Sequence, residues 1–403
     1  MMMADRKKVA VLNPYVSTRG GGEKHMGYLC QFIEQYYNYN VDIDILVSDN
    51  EAFDVYADDF VTIQDLNNQF GLELTNTSIR ILKLPKMVDR KSYLKSKSML
   101  EKTTKEYDVF INFMFLSKHV GKAKKNIYEV MFPPLRYRWE LNKNIFYKLF
   151  GTFLDWIYYR SYDVYISNSQ FTNKWQNEYW GENHNHRYVY PPVFSEKDIE
   201  NRYDEEKKEN IIVSVGRFFV SAHSKKQLEM VRFFVNHQEL FKDYEYHLCG
   251  AVSDDPDDQH YLSKVQKEAD KVNNVFIHLF CPYDKLMELY SKAKIFWHAT
   301  GYQVDENKEP EKMEHFGITT VEAMSYGAVP VVINKGGQKE TVCEGVNGFR
   351  WDTEEDCVGK TKMLIENEAL RKQFASRSVD FAKNYSIEKF NEANRRIFDE
   401  YKI

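Results

Sequence analysis

The stretch Ile211-Ile212-Val213-Ser214-Val215-Gly216-Arg217 decides the fold. A short apolar run rich in β-branched residues reads as a buried strand. A glycine then turns the chain and an arginine emerges from the turn. The same pattern recurs downstream at Tyr246–Gly250, Val275–Leu279, Ile295–His298, Val329–Ile333 and Gly348–Arg350, with helical periods between. Upstream lies an independent series: Val9–Asn13, Val41–Val47, Ile79–Leu84, Val109–Phe113 and Val164–Ser167. Strands that alternate with helices imply parallel βαβ units. The expected fold is therefore α/β, with two Rossmann-like halves. A polar stretch, Ser195–Asn210, reads as a linker or an exposed helix between them, and the last helical pattern is Ile387–Tyr401.

Length agrees with this division. A chain of 403 residues is too long for one small core, and two domains follow. The net charge of −5 argues against a general nucleic-acid binder. Residues 1–195 hold 25 Lys+Arg against 22 Asp+Glu, and residues 196–403 hold 30 against 38. The basic excess gathers in Lys83, Lys86, Arg90, Lys91, Lys95, Lys97, Lys102 and Lys105. That run reads either as a solvated helix face or as a face for an anionic membrane or a phosphorylated acceptor. Five cysteines without Cys-x-x-Cys spacing fit a reducing compartment and give no zinc signal. The start is charged and leads directly into a strand, and no apolar run has transmembrane length. The expected location is the cytoplasm, with a peripheral contact at the inner membrane face as an extension of that reading.

Open α/β sheets bind ligands beyond the carboxyl ends of their strands, so the loops after strands carry the chemistry. Gly20-Gly21-Gly22-Glu23 follows the first strand and opens a helix. Three glycines permit close backbone approach to a ligand, or simply make a flexible turn. No Gly-x-Gly-x-x-Gly is completed, so a nicotinamide fingerprint is missing. Arg217, with Lys225 and Lys226, reads as a cation set for a diphosphate, or as surface charge. Glu314-His315-Phe316-Gly317-Ile318-Thr319-Thr320-Val321-Glu322 places one carboxylate in a loop and a second in a helix expected over Val321–Tyr326. A helix N-terminus suits a diphosphate, and a neighbouring carboxylate suits sugar hydroxyls or a ribose. Thr319-x-x-Glu322 also fits a capping box, which leaves Glu322 open to a purely local role. Gly336-Gly337 with Glu340 forms another close-approach loop. Asp42-Ile43-Asp44 reads as two outward acids on a strand rather than a metal motif, and Asp254–Asp258 as a solvated acidic loop. The aromatic run Phe146–Tyr159 reads as a core helix, with a surface for a lipid-linked acceptor as the alternative.

These segments together resemble the GT4 family of retaining glycosyltransferases, which have the GT-B fold. The resemblance covers nearly the whole chain. It rests on Gly-Gly-Gly-Glu at 20–23, Ser167–Thr172, Tyr190–Val193, Gly216-Arg217 with its lysines, Glu314–Gly317, Glu322–Met324 and the downstream Gly-Gly-x-x-Glu. A weaker similarity points to the alpha-1,2-mannosyltransferases that extend lipid-linked oligosaccharides. The resemblance implies an acceptor-binding domain over residues 1–200, a nucleotide-sugar domain over 201–385, and a final helix, 386–403, crossing back to the first. The domains would face one another across a cleft, and closure would exclude water. It implies a hexosyltransferase of polysaccharide biosynthesis, retaining and metal-independent, with no cofactor beyond a GDP- or UDP-linked sugar and with a glycan or lipid-linked acceptor. Arg217 and Lys226 would bind the donor diphosphate, with Lys225 as the substitute. Glu314 would contact the transferred sugar. His315, Phe316, Gly317 and Ile318 would line it, Phe316 and Gly317 through backbone N–H groups. Glu322 would hold the ribose, Gly21 and Gly22 would approach phosphates or acceptor, and Tyr283 would neighbour the base. One departure stands out: where many members carry a histidine, Val130-Met131-Phe132-Pro133 has Met131. That departure keeps a non-catalytic nucleotide- or sugar-binding module open, and a GT-B sugar-nucleotide epimerase stands as a separate alternative.

Overall fold

The structure is a computed structural model that describes residues 6–18, 20–48, 60–83, 90–117, 119–134, 144–220 and 224–403. Arg19 and Lys86 lie outside the described residues, as do the side chains of Arg90 and Lys91. The chain divides into two compact units, Met1–Tyr190 with Asn391–Ile403, and Pro191–Phe390.

The first unit carries strands β1 (Lys7–Leu12), β2 (Val41–Ser48), β3 (Thr77–Leu82), β4 (Val109–Asn112), β5 (Lys125–Val130), β6 (Val164–Ser167) and β7 (His186–Tyr188). Their order is β3-β2-β1-β4-β5-β6-β7, and every pairing is parallel. Helices α1 (Gly21–Tyr36), α2 (Ile63–Phe70), α3 (Arg90–Thr104), α4 (Ile145–Tyr158) and α5 (Gln170–Trp180) connect them. The second unit starts with α6 (Glu196–Arg202). It continues with β8 (Glu209–Val215), α7 (Gln227–Asn236), α8 (Gln238–Phe241), β9 (Glu245–Gly250), α9 (Pro256–Ala269), β10 (Val275–Leu279), α10 (Tyr283–Lys292) and β11 (Ala293–His298). Then follow α11 (Ile318–Ser325), β12 (Val329–Ile333), α12 (Gln338–Thr341), β13 (Phe349–Trp351), α13 (Glu354–Glu366), α14 (Glu368–Ala382) and α15 (Ile387–Tyr401). This parallel sheet runs β10-β9-β8-β11-β12-β13.

The expectation of two parallel α/β halves holds. In each sheet the order reverses beside the unit's first strand, between β1 and β4 and between β8 and β11. Crevices at such switch points are where open parallel sheets bind ligands. Both sheets are hydrophobic on both faces because helices cover them. The core of the second unit gathers around Trp297 and Trp351, each buried and each donating its indole N–H, to Thr361 Oγ1 (3.0 Å) and the Val331 carbonyl (3.3 Å).

Three expectations need revision. Strands β5 and β7 were not anticipated. The sequence of β5, Lys-Asn-Ile-Tyr-Glu-Val, mixes charge into a strand whose last four residues are buried. Of the two readings of Ser195–Asn210, the helix is the one found. The segment holds α6, where the Ser195 side chain accepts from Asp198 N–H (3.1 Å) and Ile199 is buried. The helix expected over Val321–Tyr326 starts earlier, at Ile318, because Gly317 in the left-handed region (φ 97°) marks the break. Finally, α4 is present but is not a core helix. Among its described side chains the buried positions are Gly151, Asp155 and Tyr158, and its phenylalanines, Leu149, Trp156 and Ile157 are exposed. The Asp42/Asp44 pair behaves as expected of a strand face: Asp42 pairs with Arg6 (3.0 Å), and Asp44 accepts from Ser78 (2.7 Å) and Tyr107 (2.5 Å).

The final helix, α15, leaves the second unit after Phe390 and ends in the first. Its anchor is Phe398, buried edge-on against Phe32 and Tyr36 at 5.2 Å from each, while Tyr36 OH donates to Asp399 (2.7 Å). Removing that ring leaves a cavity in the first unit. Phe398→Ala is expected to cost about 3–5 kcal/mol in denaturant unfolding followed by tryptophan fluorescence. A loss under about 1 kcal/mol would show that the helix end is not part of this core.

Candidate functional site

The switch point of the second unit is built from three loops. The first follows β8. Gly216 N–H donates to the Cys249 carbonyl (2.9 Å), tying this loop to the end of β9. Gln227 Nε2 donates to the carbonyls of Gly216 and Arg217, both at 3.0 Å, and so fixes the turn from which Arg217 projects. Arg217 is exposed, with its guanidinium 5.1 Å from the Phe219 ring centre. Among the described residues no carboxylate pairs with it.

The second loop leads into α7. Lys225 lies across Gly216, so closely that a Cβ on that glycine would meet the lysine stem. Its ammonium pairs with Glu314 Oε2. Lys226 sits at the helix N-cap with φ 57° and is 3.8 Å from Glu229. The two lysines therefore part company: Lys225 faces the acidic loop, and Lys226 is partnered on its own helix.

The third loop is Glu314–Gly317. Its path is set by the Gly336-Gly337 pair after β12. Gly337 N–H donates to the Glu314 carbonyl (2.7 Å), and a Cβ on Gly336 or Gly337 would collide with the backbone of Glu314 or His315. These glycines approach protein backbone rather than leaving open space for a ligand. Phe316 is buried 5.1 Å from the Tyr385 ring, and His315 is buried as well. Gly317 then opens α11, where helix geometry leaves the N–H groups of Ile318 and Thr319 without intrahelical acceptors.

Glu314 is the electrostatic centre of this edge. Burial alone would push its carboxyl up. The Lys225 ammonium and the His298 ring, with Nε2 3.1 Å from Glu314 Oε2, override this and hold it well below the ordinary carboxylate value. Burial in turn lowers His298, against the pull of Glu314. Thr300 Oγ1 lies 3.2 Å from the same Nε2. The arrangement is a fixed carboxylate, a lysine and a neutral imidazole at the carboxyl ends of β8 and β11. Ser214, Gly216, Lys225, Gln227, Cys249 and His298 are among the residues lining the adjoining recess.

Glu322 occupies a different place. It is buried in the second turn of α11 and accepts from Tyr290 OH at 3.4 Å. Thr319 lies inside the helix and no side chain caps its N-terminus, so the capping-box explanation of Glu322 falls away. Tyr283 is exposed at the first position of α10, whose C-terminal turn carries Tyr290. The sequence reading did not single out His298. Its only signal there is a polar residue closing an apolar strand, Ile295-Phe296-Trp297-His298.

In the first unit the glycine run behaves as a pre-shaped helix entrance. Gly20 is the N-cap of α1, and the Glu23 carboxylate accepts from Gly20 N–H (2.8 Å), Thr18 Oγ1 (2.7 Å) and Asn13 Nδ2 (3.4 Å). Gly21 is exposed, and a Cβ on Gly22 would lie 3.9 Å from Met131 Cε. The loop after β5 that carries Met131 thus meets the loop after β1. His25, one turn into α1, is edge-on to Phe113 at 5.0 Å, and burial lowers its pKa to about 3. His119 is held elsewhere, its carbonyl accepting from Tyr162 OH and its N–H donating to Ser117 Oγ (3.1 Å).

Known proteins agree with this geometry. Residues 195–379 match the family of glycosyl transferases group 1. A GDP-Man:Man(3)GlcNAc(2)-PP-Dol alpha-1,2-mannosyltransferase from Yarrowia lipolytica is 30% identical over 219 residues, covering 51% of this chain and 32% of that protein. The chain thus spans about a third of the length of this curated relative. A glycosyltransferase structure from Rickettsia africae superposes with a TM-score of 0.69 at 13% identity, covering 99% of both chains. The Anabaena protein HepE, solved with UDP and glucose, superposes with a TM-score of 0.65 at 15% identity, covering 98% of this chain and 99% of the other. The chain has the GT-B fold, and its residues 195–379 are similar to the glycosyl transferases group 1 family.

Proposed function

We propose that this protein transfers a sugar from a nucleoside-diphosphate donor to a glycan or lipid-linked acceptor hydroxyl, with retention and without a metal ion. The observation that carries the proposal is the Glu314 carboxylate, held ionised by Lys225 and His298 at the switch point whose β8 loop carries Arg217. A glycosyl donor breaks into a diphosphate and an electron-poor sugar carbon. The diphosphate needs fixed positive charge, which Arg217 offers, joined by Lys226 or by Lys225. The N–H groups opening α11 face outward from a helix N-terminus and add to it. Glu314 in its ionised form accepts hydrogen bonds from sugar hydroxyls, and Glu322 is assigned to the ribose. The departing diphosphate would take the acceptor's proton on the face it leaves, which accounts for retention.

The mannosyltransferase relative is named for GDP-mannose and a dolichol-linked oligosaccharide, and HepE was solved with UDP and glucose. The donor proposed first here is GDP-mannose, with UDP-glucose as the comparison. The acceptor proposed is a lipid-linked glycan, reached from a peripheral position on a membrane. No helix among the described residues is long and apolar enough to cross one.

Thermal-shift measurements with GDP, UDP, ADP and their sugars test the donor. A ligand at a hundred times its Kd adds about 2.7 kcal/mol to stability, a shift of several degrees. No shift with any nucleotide would defeat the proposal. Arg217→Ala should weaken the best nucleotide by about tenfold to a hundredfold, the loss of a charge-assisted contact of ~1.5–3 kcal/mol.

The Glu314 cluster has a pH signature. Lys225 and His298 depress the Glu314 pKa, so the active ionised form persists as pH falls through the ordinary carboxylate range. In Lys225→Met one depressing charge is gone and burial remains, so the pKa rises. The acid limb of kcat/KM should then move to higher pH, by about one unit or more. Glu314→Gln should lower kcat by about a hundredfold or more at every pH while retaining nucleotide affinity. An unmoved acid limb in Lys225→Met would remove the ion pair from the mechanism.

A further inference from the structure

Helix α4 is amphipathic in the reverse sense. At 3.6 residues per turn, Gly151, Asp155 and Tyr158 form one stripe, and these are the buried positions among its described side chains. Tyr158 OH donates to the Ser117 carbonyl at 2.5 Å, which seats this stripe on the unit. The opposite stripe is Phe146, Leu149, Phe150, Phe153, Trp156 and Ile157, from 45% to 79% exposed. At ~200 Å² for a large side chain, this face leaves several hundred Å² of contiguous apolar surface open, as much as or more than the largest patch of an ordinary monomer. Phe153 stacks on Trp156 with ring centres 6.0 Å apart, and the Arg160 guanidinium lies 4.7 Å over the indole. An apolar face ending in a tryptophan capped by a cation is the composition of a water–lipid boundary.

The surroundings supply a sign of charge. The loop that receives Tyr158 also receives α3: Thr104 Oγ1 accepts from Lys122 N–H (2.9 Å), and the Lys97 charge reaches His119. Residues 90–125 hold ten Lys+Arg and three Asp+Glu. Of these, Lys95, Lys102, Lys105 and Lys122 are exposed and have no ion-pair partner among the described residues. A basic helix therefore shares a loop with an outward apolar helix.

We propose that the outward face of α4 is a membrane-docking surface that inserts its aromatic side chains into an anionic bilayer, with the lysines of α3 and Lys122 contacting the headgroups. This deepens the proposal of a lipid-linked acceptor by naming the face that reaches the bilayer. Its test reads lipid binding alone, so it is decided separately from sugar transfer.

The experiment is vesicle flotation of the full chain, with phosphatidylcholine alone and with equal parts phosphatidylcholine and phosphatidylglycerol. The protein should float with the anionic vesicles, and added salt should weaken that binding. Phe150→Glu/Phe153→Glu should reduce binding by more than about tenfold with an unchanged melting temperature and unchanged nucleotide shift. Lys102→Glu/Lys105→Glu should reduce the preference for anionic over neutral vesicles. Failure of the parent chain to float, or equal flotation of the Phe150→Glu/Phe153→Glu variant, would overturn the proposal. So would sedimentation showing a dimer that this variant converts to monomer, because the face would then be covered by a second copy.

Discussion

A carboxylate drawn out of water is ionised only if something opposes the cost of desolvating its charge, and at the half-buried Glu314 that opposition comes from one distant residue and one nearer in the chain. Lys225 precedes α7, 89 residues before Glu314, and His298 ends β11. The pairing therefore exists only once β8 and β11 lie side by side, which is the pairing that creates the switch point. Sheet order and site electrostatics are one constraint. The Gly336-Gly337 pair completes it from the other side, because only residues without Cβ let the loop after β12 press on the backbone of Glu314 and His315. Loops after three strands, β8, β11 and β12, thus converge on one carboxylate.

Much of the second unit was legible because its strands are short, apolar and uninterrupted. Val275–Leu279 and Val329–Ile333 have the same limits in sequence and structure. Strand β5 escaped because Glu129 breaks its apolar run, and β7, His-Arg-Tyr, carries no strand pattern at all. Boundaries failed where backbone geometry outranks composition. The start of α11 is fixed by the positive φ of Gly317, whereas Thr319-x-x-Glu322 imitates a cap one turn too late.

Helix α4 shows a different limit. The spacing of Phe146, Phe150, Phe153 and Ile157 announces a helix with one apolar face, and it does so correctly. Periodicity states which residues share a face and is silent on which face turns inward. Apolar faces are usually buried, so a core helix is the natural reading. The opposite stripe here contains Gly151, which allows close approach, and Tyr158, which carries its own hydrogen bond inward. Those residues, not the phenylalanines, Trp156 or Ile157, seat the helix.

The buried Glu129 and the half-buried Glu314 make the same point about charge. Glu129 lies in β5, and burial alone raises its pKa to about 8, so it carries a proton at neutral pH. Glu314 is also buried enough for burial to be the first influence on it, yet it is ionised. Nothing local separates them: each is a glutamate near the carboxyl end of a strand or in a loop among apolar neighbours. What differs is a lysine delivered by the loop after β8 and a histidine at the end of the strand that leads into the Glu314 loop. A carboxylate motif read along the chain therefore identifies a candidate, and only the partners brought by the fold decide whether it acts as an acid, an anion or a packed neutral side chain.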